Sequence, residues 1–153
     1  MRRKTFGKTT RCIIGVILFV GLLSGGAIVS AEQGARSEEA AVLKAARHYL
    51  DAEVKKDYPR IYACLSPSSA YCTSHTYDEY LEEARSSAAS VSTYEIIAVT
   101  YIRENDNREK FPSVDKFAEV EVEVVVHYSD TNTSSEYNIG FIFMKEGGKW
   151  YKS

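Results

Sequence analysis

The chain has 153 residues, 44% of them hydrophobic, with 19 Lys and Arg against 21 Asp and Glu and a formal net charge of −2. Five of the basic residues and none of the acidic ones precede residue 32, so positions 32–153 hold 14 basic against 21 acidic groups, a net of −7. An acidic body repels phosphate backbones and anionic lipid surfaces alike, which excludes nucleic acid and a charged membrane surface as expected partners.

Residues 1–31 read as a secretory signal peptide. Arg2, Arg3, Lys4, Lys8 and Arg11 form a basic head, and Cys12 to Ala31 is free of charge, densest in apolar residues at Ile13–Leu23. The run closes Ala27-Ile28-Val29-Ser30-Ala31, with small residues at Val29 and Ala31 ahead of Glu32, the pattern a signal peptidase reads. An uncleaved anchor is the second reading, because about twenty uncharged residues can cross a bilayer. Gly21, Ser24, Gly25 and Gly26 weaken such a helix. Thr10-Arg11 before Cys12 does not fit a lipidation site. On either reading the remainder lies outside the cytoplasm, periplasmic or secreted, and membrane contact runs only through an uncleaved leader.

Glu32–Ser37 reads as a short flexible lead-in, and residues 38–153 as one domain. A first helix is expected from Glu38 to Lys56, capped by Ser37. Val42, Leu43, Ala46, Tyr49, Leu50 and Val54 recur on one side, opposite Glu39, Lys44, Arg47, Asp51 and Lys55. Asp57-Tyr58-Pro59 breaks it, and Pro59 suits the first turn of a short helix, Arg60–Leu65. Thr76-Tyr77-Asp78-Glu79 is a capping box opening a third helix.

After Ser92 the period shortens to two. Strands are expected at Tyr94–Glu104, Phe117–Ser129, Glu136–Lys145 and Lys149–Lys152, the last two joined through Gly147-Gly148. In the second strand Ala118, Val120, Val122, Val124, Val126 and Tyr128 share one face, and Glu119, Glu121 and Glu123 the other. Helices followed by an antiparallel meander give an α+β class with the helices on one sheet face.

Lys55-Lys56-Asp57-Tyr58 closing a long first helix, Leu65-Ser66-Pro67 closing a short one, the capped helix at Thr76, three long strands and a terminal Gly148-Lys149-Trp150-Tyr151 strand resemble the nuclear transport factor 2-like superfamily. The resemblance covers nearly all of Glu38–Ser153. It implies a strongly curved, cone-shaped antiparallel sheet whose concave side the helices close into a pocket. It does not fix function, because that superfamily holds small-molecule isomerases and hydrolases, dimeric transport factors and exported proteins of no known role. Its enzymatic members use acids, histidines and tyrosines projecting into the cone.

No such catalytic set can be assembled from the sequence. Asp51 falls on the polar side of the first helix and is expected in solvent. His48 sits at the boundary between faces, beside Tyr49. His75 precedes the third helix, and His127 shares parity with the glutamates, so only a bulge at Val124-Val125-Val126 would turn it inward. Three scattered histidines give no metal site, and neither a nucleophile elbow nor a phosphate-cradling loop occurs, so no cofactor is expected. Six of the eleven tyrosines, Tyr49, Tyr58, Tyr62, Tyr71, Tyr77 and Tyr80, fall in the helical half. His48, Tyr49, Tyr62, Tyr71 and Tyr80 are the candidate pocket for a small apolar or sugar-like ligand, the plainer alternative being tyrosine filling a core with a wet rim. The Glu119-Glu121-Glu123 stripe is either a solvated face or a docking surface for a basic partner or a second copy, a homodimer through the sheet.

Cys64 and Cys72, eight positions apart, are expected to form a disulfide in an oxidising compartment. The composite expectation is an exported, non-enzymatic binding or accessory domain of the cell envelope. The alternative is an isomerase, dehydratase or hydrolase with an acid–base residue in the cone. An ionisable side chain buried beside a tyrosine in a concave pocket would favour that alternative.

Overall fold

The computed structural model describes residues 25–153, with side chains described from Glu32 onward. The basic head and apolar run of the expected signal peptide, with the side chains of Val29 and Ala31, lie outside the described residues. Four helices precede four strands: α1 (Gly25–Lys55), α2 (Tyr58–Ala63), α3 (Ala70–Ser74), α4 (Tyr77–Ser86), β1 (Ala89–Glu104), β2 (Val114–Tyr128), β3 (Thr133–Glu146) and β4 (Lys149–Lys152). The strands form one open antiparallel sheet in the order β1-β2-β3-β4, and α1 packs against β1, β2 and β4. The class is α+β, as expected.

Helix α1 starts earlier than the sequence suggests. Glu32–Ser37 belongs to it rather than to a flexible lead-in, and Ser37 is not its cap. Apart from Gly34 these are adequate helix formers, and the exposed Arg36–Glu32 pair at 2.6 Å adds i,i+4 support. The site between Ala31 and Glu32 therefore falls inside α1. No helix among the described residues is long and apolar enough to cross a membrane.

Burial begins at Glu38. Val42, Ala46 and Leu50 of α1 pack on Ala118, Val120, Val122 and Val124 of β2, with Phe143 and Trp150 completing the core. The alternation read in β2 is thus the packed alternation, with Val122 fully buried. On the opposite sheet face, Val114, Phe117 and Met144 form a second cluster beneath the loop that precedes β2. Asn105 holds this loop. Its Nδ2 donates to the carbonyls of Phe111 at 2.8 Å and Val114 at 2.9 Å, and Phe111 packs edge-on to Phe117.

All strands but β4 run longer than their expected spans, and the short α3 is an element that the sequence reading left as loop. Bulges interrupt β1 between Val91 and Thr93, Ile96 and Ala98, and Val99 and Tyr101, while β2 stays regular through Val124–Val126. His127 accordingly keeps the parity of the glutamates, its Nδ1 3.4 Å from the Ser134 hydroxyl. Gly147 and Gly148, with φ of 54° and 80°, supply the left-handed pair that a two-residue hairpin turn requires.

Candidate functional site

The site is assembled where α1 ends. Lys56 takes a positive φ of 52°, and the Asp57 carboxylate accepts the Arg60 N–H at 3.3 Å, so the chain reverses directly into α2. After α2 the backbone runs beside β4. The Lys152 N–H donates to the Cys64 carbonyl at 2.8 Å, and the Ser66 N–H donates to the Lys152 carbonyl at 2.7 Å. This parallel bridge covers the β4 edge and fixes the face Lys152 presents. Ser69 caps α3 by accepting the Cys72 N–H at 3.2 Å. Thr76 and Glu79 form the expected capping box at the start of α4, with the Thr76 N–H donating to Glu79 Oε2 at 2.7 Å.

Between these elements lies an open cleft of about 440 Å³, walled by Tyr49 and Glu53 of α1, Ile61 and Leu65, Tyr71 of α3, Tyr80 and Glu83 of α4, and Lys152 of β4. Tyr71 and Tyr80 meet edge to face, 6.3 Å between ring centres. The Tyr71 hydroxyl donates to Glu83 Oε2 at 2.6 Å, and its ring stacks on His75 at 4.4 Å. Burial, reinforced by the Glu83 carboxylate, raises the Tyr71 hydroxyl to about 12.

Deeper in, Tyr49 and Glu53 lie one helical turn apart. Burial pushes the Tyr49 hydroxyl well above its ordinary value, and the Glu53 charge adds to the shift. Burial also raises the Glu53 carboxyl, opposed by the Tyr49 hydroxyl and by the charge of Lys152. The Lys152 ammonium is lowered by burial, with Glu53 acting against the shift. It lies 5.6 Å from the Phe141 ring centre and contacts the Ser153 carbonyl. The floor thus holds an opposed carboxylate and ammonium in a half-dry setting, under hydroxyls able to donate.

Three of the five expected pocket residues, Tyr49, Tyr71 and Tyr80, meet on this cavity. Tyr62 does not line it. Its ring supports the wall from behind, 5.3 Å from Tyr80 and 5.2 Å from Tyr77, and its hydroxyl donates to the His75 carbonyl. His48 is exposed and turned to an adjoining hollow of about 460 Å³ beside Lys44 and Trp150, which shares only Lys152 with the tyrosine cleft; Arg60 Nε donates to its Nε2 at 3.2 Å. Asp51 is half-buried rather than solvated, because Tyr94 of β1 donates to it at 2.7 Å. Cys64 and Cys72 carry free thiols in this structure, without the expected bridge between them, and burial raises the Cys64 thiol. Among the described residues no group of three or more His, Cys, Asp or Glu is placed to hold a metal ion.

Sequence reasoning missed Glu53 and Lys152. Both carried a signal. Glu53 follows Tyr49 by four and Ala46 by seven, which continues the buried stripe of α1, and Lys152 shares strand parity with Trp150. Their charge disguised them as surface residues.

The open face of the sheet has its own electrostatic character. Glu95 of β1 stands directly opposite Glu123 of β2, and Glu119, Glu121 and Glu136 share that face through register. Neutral donors reach two of them: Asn138 to Glu121 at 2.7 Å and Thr100 to Glu119 at 3.1 Å. Ile97, 46% exposed, sits at a β1 bulge. Compared with known proteins, the chain matches no family model, no curated protein and no solved structure.

Proposed function

We propose that the chain is an exported, non-enzymatic binding domain of the cell envelope, built on the cone-shaped, curved sheet of the nuclear transport factor 2-like superfamily, with its ligand site in the cavity between α1, α4 and β4. One observation carries the reading: tyrosines from three separate helices, Tyr49, Tyr71 and Tyr80, converge on one cavity of about 440 Å³. That volume falls in the range of small-molecule sites, and rigid aromatic walls with polar tips are what such sites use. Export rests on the basic head and uncharged run before Glu32.

Native mass spectrometry of the protein purified from its own host tests this reading. The expected result is a mass beginning at Glu32 with a dissociable small molecule attached, and a Tyr80→Ala variant that retains less of it. An intact leader on protein recovered from the cytoplasm would overturn the export half. A protein that neither carries a ligand nor takes one up from host extract would overturn the binding half.

A second reading is favoured by Glu53. A half-buried carboxyl with a raised affinity for its proton, beside a tyrosine hydroxyl in a concave site, is the composition of a proton-transfer centre. Glu53 would take a proton next to a carbonyl, and Tyr49 or Tyr80 would donate to the enolate oxygen. Incorporation of solvent deuterium into a panel of ketones, abolished by Glu53→Gln, is the result this reading requires. No incorporation by the unaltered protein removes it.

A further inference from the structure

The cavity is lined by two carboxylates, Glu53 and Glu83, and one ammonium, Lys152. Lys152 is already engaged: it contacts the Ser153 backbone oxygen and lies over the Phe141 ring, with Glu53 lining the same wall. Glu83 at the rim has a different set of neighbours. Tyr71 donates to its Oε2 at 2.6 Å, and His75 Nε2 stands 3.7 Å from its Oε1, too far for a hydrogen bond. More than half of the Glu83 side chain is open to solvent, at 57% exposure. The rim therefore offers a solvent-open carboxylate with no lysine or arginine pairing it among the described residues, its nearest basic neighbour being the His75 imidazole at 3.7 Å, next to the perpendicular rings of Tyr71 and Tyr80.

Resting on the binding reading above, we infer that the occupant of this cavity is a small organic cation, an ammonium group carried on an apolar body. The ammonium sits at the Glu83–Tyr71–Tyr80 rim, where the Glu83 carboxylate supplies charge and the Tyr71 and Tyr80 rings supply the aromatic wall beside it. The apolar body lies inward against Ile61, Leu65 and Tyr80. An organic anion meets two carboxylates and a lysine already opposed by Glu53. A neutral apolar molecule fills the interior and leaves the rim unused.

The test compares three probes of one shape on the processed protein: phenethylammonium, phenethyl alcohol and phenylacetate, titrated by calorimetry with the site mapped by amide chemical shifts. The expected order is ammonium, then alcohol, then carboxylate, with the ammonium favoured over the alcohol by about tenfold. Glu83→Gln, on the exposed side of α4, should abolish that preference for the ammonium over the alcohol. Equal or tighter binding of the alcohol or the carboxylate overturns the inference and leaves the cavity reading standing. So does a preference that survives Glu83→Gln, because it places the cation elsewhere. Failure of all three probes to perturb Tyr49, Tyr71 or Tyr80 at millimolar concentration overturns the cavity reading as well.

Discussion

Lys145 of β3 donates to Glu38 Oε1 of α1 at 2.5 Å, across 107 residues of sequence, at the point where α1 first meets the sheet. Lys116 of β2 approaches the same oxygen at 3.8 Å, so one carboxylate ties the helix to two strands. The other oxygen, Oε2, is buried and has no hydrogen-bond partner among the described residues. The Lys145 hydrogen bond, with the charges of Lys145 and Lys116, outweighs burial and holds the Glu38 carboxyl below the usual carboxylate range.

A lowered folded-state value means that the stabilisation is present above the unfolded value and is lost as pH falls through the folded one. Glu38→Gln should therefore cost about 1 kcal/mol at pH 7 and progressively less in acid, a modest figure because the side chains stay partly wet. Thermal unfolding followed from pH 7 to pH 3 checks this. A constant difference between variant and parent across that range would show that charge is not the cause.

Thr76→Ala removes the hydroxyl that accepts the Glu79 N–H and should cost about 1 kcal/mol of stability. The Glu79 carboxyl is lowered chiefly by the Thr76 N–H that donates to it, so its share fades as pH falls through that lowered value. An unchanged unfolding midpoint at pH 7 would contradict the cap.

Val122 is fully buried between α1 and the sheet, and Val122→Asp should destabilise by about 4 kcal/mol or more through an unpaired buried charge. Glu121→Ala, one residue away on the open face, should be near neutral. Circular dichroism in urea separates the two, and a folded aspartate variant would mean the faces are reversed.

Lys152 and Glu53 oppose one another's burial shifts, so removing either should displace the other further. Glu53→Gln should lower the Lys152 ammonium beyond its already lowered value, and Lys152→Met should raise the Glu53 carboxyl further. Nitrogen-detected titration of the Lys152 Nζ reads the first directly. A Lys152 that titrates at the ordinary lysine value in the parent protein would remove the half-dry floor from the account.

Pairing of two copies through the open sheet face would set Glu95, Glu119, Glu121, Glu123 and Glu136 against their own duplicates. Such a dimer should be absent at low ionic strength and strengthen as salt screens the carboxylates. Sedimentation velocity at two salt concentrations decides it. A dimer that is tight and salt-independent would exclude this face as its interface.

The α+β order was legible because each element carries a local rule. The apolar stripe of α1, the Thr76–Glu79 capping box, the alternation of β2 and the Gly147-Gly148 turn are each determined by neighbours in sequence. The misses have equally local causes. Glu32–Ser37 lacks an apolar stripe, so nothing in its pattern shows that α1 runs through it. The turn-forming run Ser66-Pro67-Ser68-Ser69 hides α3, whose start is capped by the Ser69 hydroxyl.

The candidate site divides along the same line. Sequence by itself determined the tyrosine-rich helical half, the acidic body and the uncharged run before Glu32, since composition and periodicity are properties of the chain alone. Tertiary structure alone decided that Tyr49, Tyr71 and Tyr80 share a cavity while Tyr62 stands behind it and His48 faces away. It also decided that Asp51 pairs with Tyr94 and that Glu53 and Lys152 are drawn out of water. The reason is physical: a charged residue's environment depends on what packs over it, and here the cover comes from segments many residues distant.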